Sequence, residues 1–426
     1  MGPSSDLGRI FRSARQALDL KQGEVGNAVG YSASAISRIE RNKMRIDLDT
    51  RLRLAQVLRM PPERVSGFPA PAHLVIDTAG NAPVPDEDDA MRRSTTLLGA
   101  LAAGASAAVS AGTAEALPAL ALDDALFPLP RTGPALLRTL ASATPAARET
   151  FTAARYSDPS QDLPSLLAAA EATRDATAGQ ARQQANGILA RAYVMAAELA
   201  AKQHSDTAWV AADRALAAAR ATGMPIPTGE ASRVLAITMR RAGRCSSAVR
   251  LLTHEAAQLD PAELRTGAVR TTLMLTAAYS AAAGHDRTTA LALLDEAAES
   301  VERRTHAAPD GLFTVEATKT QVDVYRIGVH NTLGTPDEAV QIARDLNIDL
   351  MSTAERRARA WTDTARMWQA LGNRQQTFAA LRRVQQEAAQ EVRRPAPRAL
   401  TANLLFGPTR LPGLREFAVR TGAVPA

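Results

Sequence analysis

The stretch "GYSASAISRIERNKMRID", Gly30 to Asp47, decides how the first part of this chain folds. Ile36 and Ile39 stand one helical turn apart with Ala35 beside them, so a short helix would turn this apolar face inward. Ser32 is a good N-cap, because its hydroxyl accepts one of the backbone N–H groups that a first turn leaves unpaired. Gly30 ends the preceding segment, since glycine tolerates the left-handed conformation that turns a chain. The helix therefore runs from Ala33 to about Arg41. Its outer face carries Ala33, Ser34, Ser37, Arg38 and Arg41. Small side chains let a backbone come close to base edges, and one long Arg reaches guanine, which is what a major-groove helix requires.

Working outward, "LGRIFRSARQAL" places Leu7, Ile10, Phe11, Ala14 and Leu18 on one helical face, with Arg9, Arg12 and Arg15 elsewhere. "QGEVGNAV" is a weak helix by propensity, and its Gly26 suits a close crossing of two helices. "IDLDTRLRLAQVL" starts a fourth helix capped by Asp47, with Leu48, Leu52, Ala55 and Leu58 aligned inward. A short fifth helix from Pro61 or Pro62 to Val65 closes the unit.

Charge separates this head from the rest. The chain of 426 residues carries a formal net charge of +6. Residues 1–66 hold 12 Lys and Arg against 7 Asp and Glu, so the head accounts for +5 of it. A basic head on a near-neutral body points to a polyanionic partner.

Residues 7–66 resemble the XRE/Cro-like, lambda-repressor-like helix-turn-helix domain of phage and bacterial repressors. Leu20, Gln22, Val25, Gly30, Ser32, Ile36, Ser37, Ile39 and Glu40 carry the resemblance. Gly26 stands at the usual Ala, Asn42 replaces the Gly after the recognition helix, and Arg51 replaces an apolar residue of the fourth helix. The resemblance implies a phosphate contact from Gln22 with Ser32 nearby, and groove contacts from Ala33, Ser34, Ser37 and Arg38. It places Arg41, Asn42 and Lys43 along the backbone, where contacts set register without reading sequence. Arg12 and Arg15 are further phosphate candidates. Ion pairing of Arg38 with Glu40, or of Arg41 with Asp47, is the competing use of these charges.

Residues 67–90 hold four prolines and the acidic cluster Asp86–Asp89 and read as a linker. Residues 91–134 continue as a linker helix and an irregular connection. Met91 to Gly112 has the paired arginines and small-residue run of an export signal, but the run is internal and too short and Ala-rich to span a bilayer. One cysteine, Cys245, allows no intrachain disulfide. The expectation is a cytoplasmic protein without membrane attachment. Cys245 sits at a turn, either as an inert thiol or as a redox sensor.

Aromatic residues make up only 4% of the chain while hydrophobic residues reach 46%, a balance that favours close-packed Ala-rich helices. From residue 135 to 426 amphipathic helices alternate with short breaks around Gly243, Gly284, Gly334 and Gly372, spaced 41, 50 and 38 residues apart. Lys202 takes the corresponding place 41 residues before Gly243. A two-helix period of about 40 residues is the pattern of an α-solenoid, here similar to tetratricopeptide repeats. The fold class is therefore all-α: a five-helix head followed by a solenoid of helix pairs.

No catalytic or phosphate-loop motif interrupts these helices, the six histidines are scattered, and neither an enzyme nor a cofactor is expected. Polar residues on the first helices, Asn186, Arg233, Arg270, Gln321, Tyr325 and Asn331, are the candidates for an effector site. An XRE-like head ahead of helical repeats also resembles, in architecture, the RRNPP regulators and actinobacterial XRE–repeat regulators. That implies a homodimer on a pseudo-palindromic double-stranded DNA operator, sensing a peptide, small-molecule or protein effector. The alternative is an interaction module, antitoxin-like or anti-phage, whose body binds a protein partner.

Overall fold

The computed structural model describes residues 7–60 apart from 19, 42, 45, 47 and 59, residue 126, and residues 129–304, 309–406 and 411–424. All regular structure among them is helical. Helices α1 (Leu7–Ala17), α2 (Gln22–Val29), α3 (Ala33–Glu40) and α4 (Leu48–Val57) form the head. Phe11, Val25, Val29, Ile36, Ile39, Leu54 and Leu58 close its core. Among the described side chains Leu54, Ala55 and Leu58 are buried on the inward face of α4, so Leu54 joins the expected set, while the side chains of Leu48 and Leu52 lie outside the description. Asn42, Asp47, the proposed fifth helix, the linker 67–90 and the Met91–Gly112 segment lie outside the described residues.

Local sequence explains α2 and α3. The Ser32 hydroxyl accepts from the Ala35 N–H at 3.1 Å, and Gly30 adopts φ +79°. Gly26 is required by its own turn: a Cβ there would stand 2.2 Å from the Tyr31 carbonyl oxygen. The close approach is thus to the backbone entering α3, and Gly26 also accepts the Tyr31 N–H at 2.7 Å.

The body begins with α5 (Leu137–Thr152) and α6 (Ser157–Ala176). Four helical hairpins follow in part: α7 (Gly179–Gln203) with α8 (Thr207–Arg220), α9 (Pro225–Arg241) with α10 (Cys245–Ala257), and α11 (Leu264–Ala283) with α12 (Arg287–Glu302). Helix α13 (Lys319–Thr332) is followed by a 3-10 turn (Pro336–Ala339) and the short α14 (Val340–Asp345) in place of a full partner. The fourth hairpin is α15 (Ala354–Ala370) with α16 (Arg374–Glu387), and α17 (Pro395–Leu405) and α18 (Leu414–Arg420) end the body.

Each first helix stops on one left-handed residue: His204, Gly243, His285, Gly334 and Gly372. Two corners therefore differ from the glycine pattern. Gly284 has φ −84° and passes the left-handed position to His285 at +60°. Lys202 is still inside α7, and His204 at +61° makes that turn. Asp286 and Asn373 then cap the next helices through Thr289 and Gln376 N–H groups.

The first helices α7, α9, α11, α13 and α15 pack side by side in that order. Missing side chains set how closely they approach. A Cβ on Gly229 of α9 would lie 2.7 Å from Val269 of α11, and one on Gly328 of α13 would lie 2.8 Å from the Tyr279 ring. The long spacing between Gly284 and Gly334 comes from an inserted segment before α13. Its Phe313 is buried, donates its N–H to Glu230 Oε1 at 2.8 Å, and lies with the guanidinium groups of Arg191 and Arg148 at 4.8 and 5.3 Å from its ring centre.

The two ends of this array meet. Lys202 on α7 bonds Glu355 on α15 and Glu391 in the 3-10 turn Glu391–Arg393. The Tyr156 hydroxyl donates to the same Glu391, and its N–H donates to Gln390 Oε1 at 2.7 Å. One apolar core runs from Leu140 and Phe151 through α7 and α8 to Leu400 and Phe417. The first helices therefore surround a common pocket.

Candidate nucleic-acid interface and interior pocket

Helix α3 turns Ile36 and Ile39 into the core and leaves Ala33 and Ser34 exposed on its outer face. Glu40, at its inner end, is buried and receives three donors. Arg15 reaches both carboxylate oxygens, and the Gln22 amide donates at 2.8 Å. Arg15 also donates to the Leu20 carbonyl at 2.8 Å, so its charge is spent inside the head. Arg15 is thereby a structural pin, and Gln22 is held beside it at the N-terminus of α2. Arg41 folds back on Ser37, donating to its carbonyl at 3.0 Å and its hydroxyl at 2.8 Å, while Lys43 is exposed.

Arg38 pairs with neither Glu40 nor any other described residue of the head. Its Nη1 stands 2.9 Å from Asp337 Oδ1 of the body, and Ser34 donates to Asp337 Oδ2 at 2.9 Å. The ionic contact is not aligned as a hydrogen bond, and neither atom has another hydrogen-bond partner. Around it, Arg53 Nη2 stands 3.3 Å from His285 Nε2, and the Tyr31 ring lies on Gly334, where a Cβ would meet it at 2.5 Å. The outer face of α3 thus meets the body at Asp337, while Tyr31, just before α3, meets the Gly334 turn and Arg53, on α4, meets the His285 turn. Asp337 had no signal in the sequence beyond an acidic residue after a turn.

Residues 6–66 match the family model described as a helix-turn-helix domain. The head is a helix-turn-helix domain. No curated protein and no solved structure is significantly similar to the chain. A helix-turn-helix domain supports DNA binding in a regulator. Among the described residues no helix is long and apolar enough to cross a membrane, and no group of three or more His, Cys, Asp and Glu side chains could hold a metal ion. Cys245 is buried beside Gly284 at the corner where α10 begins.

The pocket enclosed by the first helices has a volume of about 180 Å³. Three effector candidates meet there: Arg233 of α9, and Gln321 and Tyr325 of α13. The other three do not. Asn186 is buried near the start of α7, Arg270 pairs with Glu296, and Asn331 donates to the Asp363 carbonyl at 2.9 Å.

Sequence reading missed most of the pocket's charge. Arg148 and Arg233 share Glu198; Lys202 and Arg356 share Glu355; Lys202 and Arg394 share Glu391. Burial alone would raise the Glu355 carboxyl, but Arg356 and Lys202 outweigh it and hold it well below the usual range. The same contest at Glu391, burial against Arg394 and Lys202, leaves its carboxyl at about 2. Burial likewise opposes the lowered Glu198 carboxyl, which Arg148 and Arg233 win. One signal for this site existed. In "ERRARAWTDTARMW" the residues Arg356, Arg359, Asp363 and Arg366 recur at helical spacing, a charged stripe on the side of α15 that faces the pocket.

Proposed function

We propose that this protein is a sequence-specific transcription regulator whose body holds the reading helix away from DNA until an effector releases it. The observation that carries this reading is the use of Ser34 and Arg38, the two polar side chains best placed to read bases, as ligands of Asp337. A helix cannot present the same Arg to Asp337 and to a guanine. The head therefore binds DNA only from the undocked state, and its apparent affinity is reduced by the undocked fraction.

The body is best described as tetratricopeptide-like, with its first helices forming the sensing layer. Two copies would place two recognition helices about 34 Å apart on a pseudo-palindromic operator.

Selection of binding sites from random double-stranded DNA by the full chain tests the assignment. A palindromic consensus with half-sites one turn apart is the expected result. Arg38→Ala should then lose about 1–3 kcal/mol on that site and tolerate more bases at one position of each half. Binding of consensus and scrambled DNA by this variant with the parent's preference would refute the reading of α3.

A further inference from the structure

The pocket enclosed by the first helices is built for a charged guest, and its chemistry narrows which. Eight cationic side chains line it, among them Lys202, Arg233, Arg240, Arg356, Arg366 and Arg394, against the three carboxylates Glu198, Glu355 and Asp363. These carboxylates are each already shared by two cations, Asp363 by Arg359 and Arg366. The excess positive charge is costly to hold in a partly desolvated site, and an anion would relieve it. Its effect reaches Tyr325. Burial would make that hydroxyl harder to ionise, yet Arg233 and Arg356 pull it below its usual range.

Two buried atoms in the wall have no hydrogen-bond partner among the described residues. Arg233 is 4% exposed and its Nε donates to nothing; Gln321 is 1% exposed and its Oε1 accepts from nothing. An unpaired buried donor or acceptor destabilises the site, which therefore favours a guest that supplies both an acceptor and an N–H or O–H. Apart from Thr276 and Tyr279, the remaining wall is apolar, with Phe151, Val234, Ile237 and Val324 its largest side chains. A volume of about 180 Å³ is a little larger than a cavity that takes up benzene, which sets the guest at about six to ten heavy atoms.

We infer that this pocket binds a small amphiphilic anion: one carboxylate or phosphate group, with a hydrogen-bond donor close to it, on a short apolar body. Guanidinium groups fork onto either anion in the same way, so the two are sources of one chemistry. As the identity of the effector, this rests on the regulator reading given above; as a binding site, it stands on the pocket alone.

Three matched series of about four to six carbons, 3-hydroxyalkanoates, 3-hydroxyalkyl phosphates and neutral 1,3-diols, titrated into the full chain by calorimetry, test it. At least one anionic series should bind roughly tenfold or more tighter than the diol of equal length, and the stronger series tells carboxylate from phosphate. Arg240→Gln, at a side chain that stacks on Tyr279 and has no carboxylate partner among the described residues, should weaken the anions and leave the diols unchanged. Arg366→Gln repeats the test at the opposite wall should the first variant fold poorly. Equal binding of anions and diols, or anion binding insensitive to both variants, overturns the proposal. Operator affinity with and without the bound anion is the separate readout. Anion binding that leaves DNA affinity unchanged keeps the site and removes its role as effector.

Discussion

Removing the carboxylate that holds the reading helix should make the protein bind DNA more tightly, although Asp337 lies in the body. Asp337 gives α3 one ionic contact to Arg38 and one hydrogen bond from Ser34. Side-chain exposures of 14% and 22% make the pair partly shielded, so the ion pair contributes up to about 1 kcal/mol and the hydrogen bond about 0.5–1.5. Asp337→Ala therefore destabilises docking by about 1–2 kcal/mol. Each 1.4 kcal/mol is tenfold in an equilibrium, so operator affinity should rise about five- to thirtyfold, provided the docked form predominates in the parent. Fluorescence anisotropy with a labelled consensus duplex reads this directly. The gain should appear on non-specific DNA as well, because docking ties up Arg38 and sets the body against α3, where any duplex would have to sit. Raising salt should shrink the gain, since it screens the contact. Unchanged or weaker DNA binding by Asp337→Ala, with a parent-like unfolding temperature, would show that docking at Asp337 does not compete with DNA.

Other perturbations test separate parts of the structure. Gly334→Ala should both strain a residue at φ +70° and push the Tyr31 ring from 2.5 Å, costing about 1 kcal/mol and mimicking Asp337→Ala in the DNA assay. Gly26→Ala should destabilise the head by more than that, because its clash at 2.2 Å is with backbone; chemical denaturation followed at the head would show it. Lys202→Met leaves Glu355 and Glu391 buried with one cation fewer and should cost about 3 kcal/mol of body stability, read as a lower urea midpoint. The depressed carboxyls also set an acid limit. A folded value below the unfolded one stabilises above the unfolded pKa and is lost as pH falls, so Glu391 should forfeit about 3 kcal/mol between about pH 4.5 and about pH 2. Thermal melts across that range should show the drop, and a flat profile would contradict the placement of Glu391 between Lys202 and Arg394.

What the sequence made legible was local. The Ser32 cap, the inward Ile36 and Ile39, the Gly30 turn and the glycine corners at Gly243, Gly334 and Gly372 each depend on neighbours within a few residues. Even there, two corners fell to His204 and His285, because a left-handed turn accepts a non-glycine residue at modest cost when the next helix is well capped. The candidate site was legible only in part. Arg233, Gln321 and Tyr325 converge because first-helix positions do line the pocket, whereas Arg270 and Asn331 occupy similar positions but point to Glu296 and Asp363. Illegible were the pairings that cross great chain distances: Lys202 with Glu355 and Glu391, and Arg38 with Asp337. An ion pair of this kind leaves no periodicity, so each half reads as an ordinary surface charge.

The meeting of α7 with α15 and the Glu391 turn changes how the body comes apart. In an open stack each repeat leans only on its neighbours, so an end can fray or be trimmed while the rest stays folded. Here Lys202 and Tyr156, near the start, are sealed by Glu355 and Glu391, near the finish. Joining segments so far apart along the chain makes assembly slow and leaves few stable partial forms. The body should therefore melt in one transition, and a version cut before Glu355 should lose order back to α5, not merely its last hairpin.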